Sequence, residues 1–256
     1  MEEVQKGINI MYNYKLTIQY DGGRYKGWQR LGEGENTIQA RLEHLLTALS
    51  GEQIELIGCS RTDAGVHALA QTANFKTKQL LSKEQILHYA NQYLPKDISI
   101  TDAVQVEESF HARYHAKDKT YLYQLWNKEY SNPFLRKYSM HVPEKLELEL
   151  MKAAAGYFLG THDFTAFSNA KSKKKSMVRT IYHIDIQETE GLISLRINGE
   201  GFLYNMVRWM VGTLIEVGLG RMRPEELPDI FASKQRNRTG NLAEACGLYL
   251  ERITYE

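Results

Sequence analysis

The order in which the hydrophobic period changes limits what this chain can fold into more than any single residue does. Tyr14, Leu16, Ile18 and Tyr20 alternate with Lys15, Thr17 and Gln19, the period of a half-buried strand, and Asp21-Gly22-Gly23 ends it as a turn. Thr37 then opens a helix as its N-cap. Ile38, Leu42, Leu45, Leu46 and Leu49 form its apolar stripe, and Ser50-Gly51 stops it. A strand near 55–57, a loop from Gly58 to Gly65, a strand over 71–76, a helix over 82–93 and a strand over 98–106 complete a first half ordered β, α, β, β, α, β. The second half begins again with a strand over 120–127 and a helix over 146–159. A hairpin of 181–187 and 192–198, a long helix over 204–218, a short one from Pro224 and a closing strand over 247–254 follow. Strict alternation of strand and helix is missing, which predicts an α+β fold over a doubly wound sheet. The expected architecture is two similar α/β halves, 13–108 and 109–256, with antiparallel or mixed sheets side by side and a cleft between them. Residues 1–12 read as a flexible leader, and Met11 as the point where the folded unit begins.

Composition removes several classes. The 256 residues suffice for a substantial core. No apolar run approaches the roughly 20 residues of a membrane span, and Met1 to Ile10 lacks the apolar region of a signal peptide. Cys59 and Cys246 form neither a disulfide framework nor a Cys-x-x-Cys pair, so the chain reads as intracellular and metal-free. His111 and His115 stand four apart, a metal-ligand spacing on a helix, without an evident third ligand. Residues 1–110 carry 11 Lys and Arg against 14 Asp and Glu, and residues 111–256 carry 21 against 17. The excess of cations in the second half suits phosphates, though weakly.

The loop from Gly58 to Ala68, Gly-Cys-Ser-Arg-Thr-Asp-Ala-Gly-Val-His-Ala, is the most unusual segment. It sets Arg61, Asp63 and His67 between two strands, where functional side chains concentrate. Asp63 can act as a nucleophile or general base, and a neighbouring guanidinium lowers such a carboxylate by about 1–3 pKa units. It can equally cap its own turn. His67 reads more readily as structural than as catalytic.

Arg61-Thr62-Asp63-Ala64-Gly65-Val66-His67-Ala68 resembles the active-site signature of the tRNA pseudouridine synthase A family. Collinear support runs from about residue 14 to 252. Tyr20-Asp21-Gly22, Gly27-Trp28-Gln29 and Phe110-His111-Ala112-Arg113 carry it in the first part of the chain, and Tyr121-Leu122-Tyr123 in the middle. Gly160-Thr161-His162-Asp163-Phe164, Phe202, Met206-Val207-Arg208 and Gly247-Leu248-Tyr249-Leu250 carry it further on. One position departs: Ser60 stands where the family usually has Gly, a residue free to take unusual backbone angles. A small shift of the loop is the expectation, as in a divergent paralogue of altered target.

The resemblance implies an isomerase that cleaves the glycosidic bond of a flipped-out uridine and rejoins the base through carbon 5, without a cofactor. It makes Asp63 the essential carboxylate, Arg208 its ion-pair partner and Tyr121 the ring that stacks on the uracil. On a helix, Arg208 lies about 100° from Val207, on the flank of the stripe of Val207, Met210, Val211, Leu214 and Ile215. A surface arginine with a buried stem has the same pattern. Arg61 is expected to fill the vacated stack or hold the backbone, and Arg113 to guide phosphates. His67 and Leu248 are carried with them as substrate-binding positions. Lys171, Lys173, Lys174, Lys175 and Arg179 form the densest basic stretch, a candidate tRNA-backbone contact, as are Arg236 and Arg238. The family further implies a cytoplasmic homodimer with tRNA as partner, no membrane, and a target in the anticodon arm at about positions 38 to 40, read by shape. Other readings stay open at this stage: another tRNA or ribosomal uridine, an N-glycosidase using the same Asp and Arg, or a non-catalytic RNA-binding protein on the scaffold.

Overall fold

The computed structural model describes residues 10–32, 34–169 and 176–255. Its first half places β1 (Tyr12–Tyr20), α1 (Ile38–Ser50), β2 (Ile57–Gly58), β3 (His67–Thr77), α2 (Lys83–Tyr93) and β4 (Ile98–Val106) in the predicted order. Then follow β5 (Asp118–Trp126), β6 (Met140–His141), α3 (Leu148–Gly156), β7 (Gly160–Asp163), β8 (Val178–Thr189), β9 (Leu192–Gly199), α4 (Met206–Gly218), α5 (Leu227–Ser233) and β10 (Leu248–Thr254). The fold is α+β, and no described helix is long and apolar enough to cross a membrane.

Local chemistry explains the helix limits. The Thr37 side chain accepts from Ala40 N at the start of α1, and Gly51 ends it in the left-handed region. Ser82 and Gln85 form a reciprocal capping box at the head of α2. Helix α4 starts at Met206, two residues later than its hydrophobic pattern suggested. Asn205 before it takes φ 61°, which no helical residue can hold. Strands β6 and β7 escape prediction because two and four polar-leaning residues carry no alternation.

The strands form one mixed sheet in the order β4-β1-β3-β10-β5-β9-β8-β7, with β2 paired to β3 and β6 to β5. The sheets of the two halves are therefore joined edge to edge. β10 is the joint: it runs parallel to β3 through Tyr249↔His67 and Leu250↔Ala68, and antiparallel to β5 through Leu248↔Tyr123 and Leu250↔Tyr121. The register slips between Leu250 and Arg252, a bulge beside Tyr121 that re-aims the side chains around it. Buried residues of both halves form one continuous core, from Leu16 and Phe75 through Tyr123 and Leu195 to Met210 and Leu214. The joint brings the start of β3, where the Asp63 loop ends, next to Tyr121.

Candidate active site

Residues 59–66 connect β2 to β3 and are tied down almost continuously. Cys59 N donates to Thr72 O at 2.8 Å. The Gln71 amide clamps Ser60 from both sides, donating to its carbonyl at 2.7 Å and accepting from its N–H at 3.3 Å. The Tyr20 and Thr62 hydroxyls share a bond of 2.7 Å, and Trp28 N donates to Thr62 O at 3.0 Å. Two glycines press against the loop from outside. Gly22 abuts the Val66 backbone, and Gly27, at φ 99°, sits where a Cβ would meet Thr62 O at 2.6 Å. Ser60 is not among the non-glycine residues of positive φ, so its backbone suits any side chain and supplies no cause for a shifted loop.

Asp63 is half-buried, and its carboxylate accepts no hydrogen bond among the described residues. The turn is closed by main chain instead, Val66 N donating to Asp63 O at 3.1 Å. Turn capping therefore does not account for the side chain. Burial pushes the carboxyl above the ordinary aspartate value, and the positive charge of Arg208 offsets part of that rise. This corrects the expectation of a guanidinium-depressed carboxylate: desolvation outweighs the cation here. A carboxylate raised in this way is a stronger base and a less solvated nucleophile.

Arg208 acts on Asp63 through space, not as the contact ion pair expected. Its Nε donates to Ala243 O at 2.7 Å and its Nη1 to Asn205 Oδ1 at 3.2 Å. Those bonds fix the guanidinium to the segment before β10 and to the turn before α4. Asn205, Met206 and Val207 line the same cleft as Asp63, so the positive end of the α4 dipole also faces it.

The cleft encloses about 790 Å³. Tyr121 forms one wall, 7% exposed, edge-on to Phe202 at 5.0 Å between ring centroids. Leu248, adjacent on β10, lines it as well. Arg61, Arg113 and Arg179 all reach it from three different segments. Sequence reasoning missed two further cations there, Lys26 and Lys119. Burial lowers the Lys119 ammonium, with Arg113 and Arg179 adding to the effect. Lys119 precedes Tyr121 by two on β5, so the pleat puts both on one face. The strand period could have shown this, but Asp118-Lys119-Thr120 reads as a solvated strand end.

His67 does not line the cleft. It is 2% exposed, its Nδ1 accepts from Gly22 N at 3.1 Å, and its Nε2 donates to Lys137 O at 3.1 Å. Asp21 Oδ1 lies 3.1 Å from the same Nδ1, and burial lowers the His67 pKa against the opposing pull of that carboxylate. His67 is a clasp between the β1 turn and residue 137, which corrects its reading as a substrate contact. Arg236 bonds to Ser168 O at 2.8 Å and Arg238 to Asp229 O at 3.3 Å, both away from the cleft. Lys171, Lys173, Lys174 and Lys175 lie outside the described residues. His111 Nδ1 accepts from the N–H groups of Arg113 and Tyr114 in a turn, not on a helix.

The sequence profile described as tRNA pseudouridine synthase matches residues 16–115 and 154–256. The chain belongs to the tRNA pseudouridine synthase family. This synthase is 59% identical to tRNA pseudouridine synthase A 2 of Bacillus cereus, over 96% of its own length and all of the relative's. It is 46% identical to tRNA pseudouridine synthase A of Acetivibrio thermocellus and 45% identical to that of a Thermoanaerobacter species, each with the same coverage. The Asp63 cleft draws its walls from both matched segments of the synthase.

Proposed function

We propose that the chain isomerises uridine to pseudouridine in tRNA, with Asp63 as the reacting carboxylate. The observation that carries this is the Asp63 side chain itself: half-buried, raised by desolvation, without a hydrogen-bond partner among the described residues, in a cleft ringed by cations. A group so placed costs stability and performs no structural task, which is how a reactive residue is kept. The bond between the sugar and N1 breaks, the uracil turns, a bond to carbon 5 forms, and the carbon 5 proton leaves as N1 gains one. Reactant and product are isomers, so neither an oxidant nor an energy source enters.

Tyr121 supplies a ring face that fixes the plane of the base while leaving rotation within that plane free. Arg208 and the α4 terminus steady the charge on Asp63 without binding it so tightly that it loses basicity. Arg61, Arg113, Arg179 and Lys119 hold the phosphates on either side of a flipped nucleotide. Leu248 closes the apolar side. The target is a uridine of the anticodon arm, at about positions 38 to 40, recognised by shape. The relatives' names supply the tRNA, and the family resemblance supplies the arm. The working unit is a cytoplasmic homodimer, each chain composed of the halves 13–108 and 109–256.

Tritium release from carbon 5 of uracil in an unmodified tRNA transcript tests the reaction. Wild type should release tritium, and Asp63→Asn should lose at least about 10²-fold, the least a general base contributes. Turnover near wild type in that variant removes Asp63 from the chemistry. Release from wild type with the modified position elsewhere would keep the chemistry and correct the target.

A further inference from the structure

The groove does not end at Asp63. Arg61 and Arg113 line the reaction cleft, and the same two side chains line a second concavity of about 310 Å³, with Trp28, Arg30, Glu55, His111 and Tyr114 among its walls. Two hollows that share two arginines are neighbours, with Arg61 and Arg113 standing between them. Arg30 is already paired with Glu43 at 3.0 Å, and Glu55 brings one carboxylate, so the positive character comes from the shared pair.

Tyr114 stands in this second hollow with 77% of its surface exposed. One face of its ring is backed by His111, at 4.1 Å between centroids and 29° between planes. His111 is itself fixed, its Nδ1 accepting from two backbone N–H groups of the same turn at 3.2 and 3.3 Å. A tyrosine held by its back, with its front in water, gains little from protein packing. Beside two arginines, the ligand chemistry that uses all three is an aromatic ring attached to phosphate.

Resting on the reading of the cleft as an RNA site, we infer that Tyr114 stacks an unpaired nucleobase neighbouring the target nucleotide, and that Arg61 and Arg113 hold the phosphate between the two. The reaction cleft receives the flipped uridine, and the second hollow receives an adjoining base. Tyr121 and Tyr114 thus serve as separate platforms on either side of an arginine gate.

The test crosses protein variants with RNA variants. Wild type, Tyr114→Ala and Tyr114→Phe are titrated with tRNA transcripts, each carrying one abasic nucleotide in the arm around the target. Tyr114→Ala should weaken binding of the intact transcript by about 5- to 150-fold, the range for one lost stack. Tyr114→Phe, which keeps the ring, should stay within about twofold of wild type on the same scale. At one abasic position the difference between wild type and Tyr114→Ala should vanish, because the base is already gone. The inference fails if Tyr114→Ala binds as tightly as wild type, if Tyr114→Phe loses as much as Ala, or if no abasic position removes the difference. Affinity is read separately from tritium release. Coupling without release would leave the stacking platform standing and overturn the proposed reaction, and release without coupling would do the reverse.

Discussion

Along one wall of the cleft, residues 59–66 are clamped by Thr72, Gln71, Tyr20 and Trp28, with Gly22 and Gly27 pressed against the outside. Along the other, residues 201–207 are held at Tyr204, whose carbonyl accepts from Asn169 N and Ser168 Oγ, and where the chain turns into α4, through Asn205 in the left-handed region and the two bonds of Arg208. The first wall is fixed by backbone and side-chain contacts from four residues. The second is fixed at two points, Tyr204 and the turn into α4. The difference divides the work: the wall that carries the carboxylate is rigid, and the wall that carries the counter-charge tunes it from a distance.

The largest effect should come from disturbing the rigid wall without touching its chemistry. Gly27→Ala places a methyl group against Thr62 O in a backbone region that Ala disfavours, and it must push Asp63 aside. Misplacement of about 1 Å costs on the order of 10²-fold in turnover. Single-turnover tritium release measures it, with the circular dichroism spectrum showing that the fold persists. Activity within twofold of wild type would mean that the loop tolerates movement.

A smaller effect should come from the second wall. Arg208→Gln removes the cation that offsets burial, so the Asp63 carboxyl rises further above its ordinary value. The ionised form then appears later in a titration. The acid limb of the rate profile should therefore move to higher pH, with the plateau reduced less than the mid-limb rate. An unmoved limb would mean that Arg208 acts only by bracing Ala243 and Asn205.

The smallest effect is on stability, and its sign is opposite to that on activity. Asp63 has a folded pKa above its unfolded value of about 3.8, so the native state binds the extra proton. The stability this gives is present at low pH and is lost as pH rises through the folded value. Asp63→Asn removes the desolvated charge and should melt higher than wild type at pH 7, with the gap closing toward pH 3. A lower melting temperature at pH 7 would show that the carboxylate has a structural partner after all.

The sequence disclosed the site unevenly. Asp63, Tyr121 and Arg208 were legible only because the signature and its collinear motifs stand out as a set. From chemistry alone, Asp63 was as good a turn cap as a reactive group, and only the structure shows that main chain closes its turn, Val66 N donating to Asp63 O. The strand and helix order was legible because period is local. The joining of the halves was not, because β10 pairs with β3 and β5 across more than a hundred residues, and no local pattern encodes that. Lys119 was hidden in the same way: a lysine at a strand start looks solvated until Arg113 and Arg179 arrive from elsewhere. His67 reads as structural from its own chemistry, and only its place in the signature, four residues after Asp63, misled by carrying it over as a substrate contact. Ser60, the departure that invited most suspicion, is buried but has no left-handed backbone that would call for glycine, while close approaches to the loop backbone fall on Gly22 and Gly27.

That β10 joins the sheet also orders events on the ribosome. β1 to β4 are complete when residue 106 has emerged, yet the end of β3 nearest Asp63 has no partner on its outer edge until residues 248–254 are made. At about 5–20 residues per second, that edge waits on the order of ten seconds. During that interval the Asp63 loop exists without its opposite wall, and an unpaired strand end stands open to any other nascent chain. Tyr249 and Leu250 end that exposure in the same step that seats Tyr121 beside the loop, so the cleft is completed and the edge is covered together.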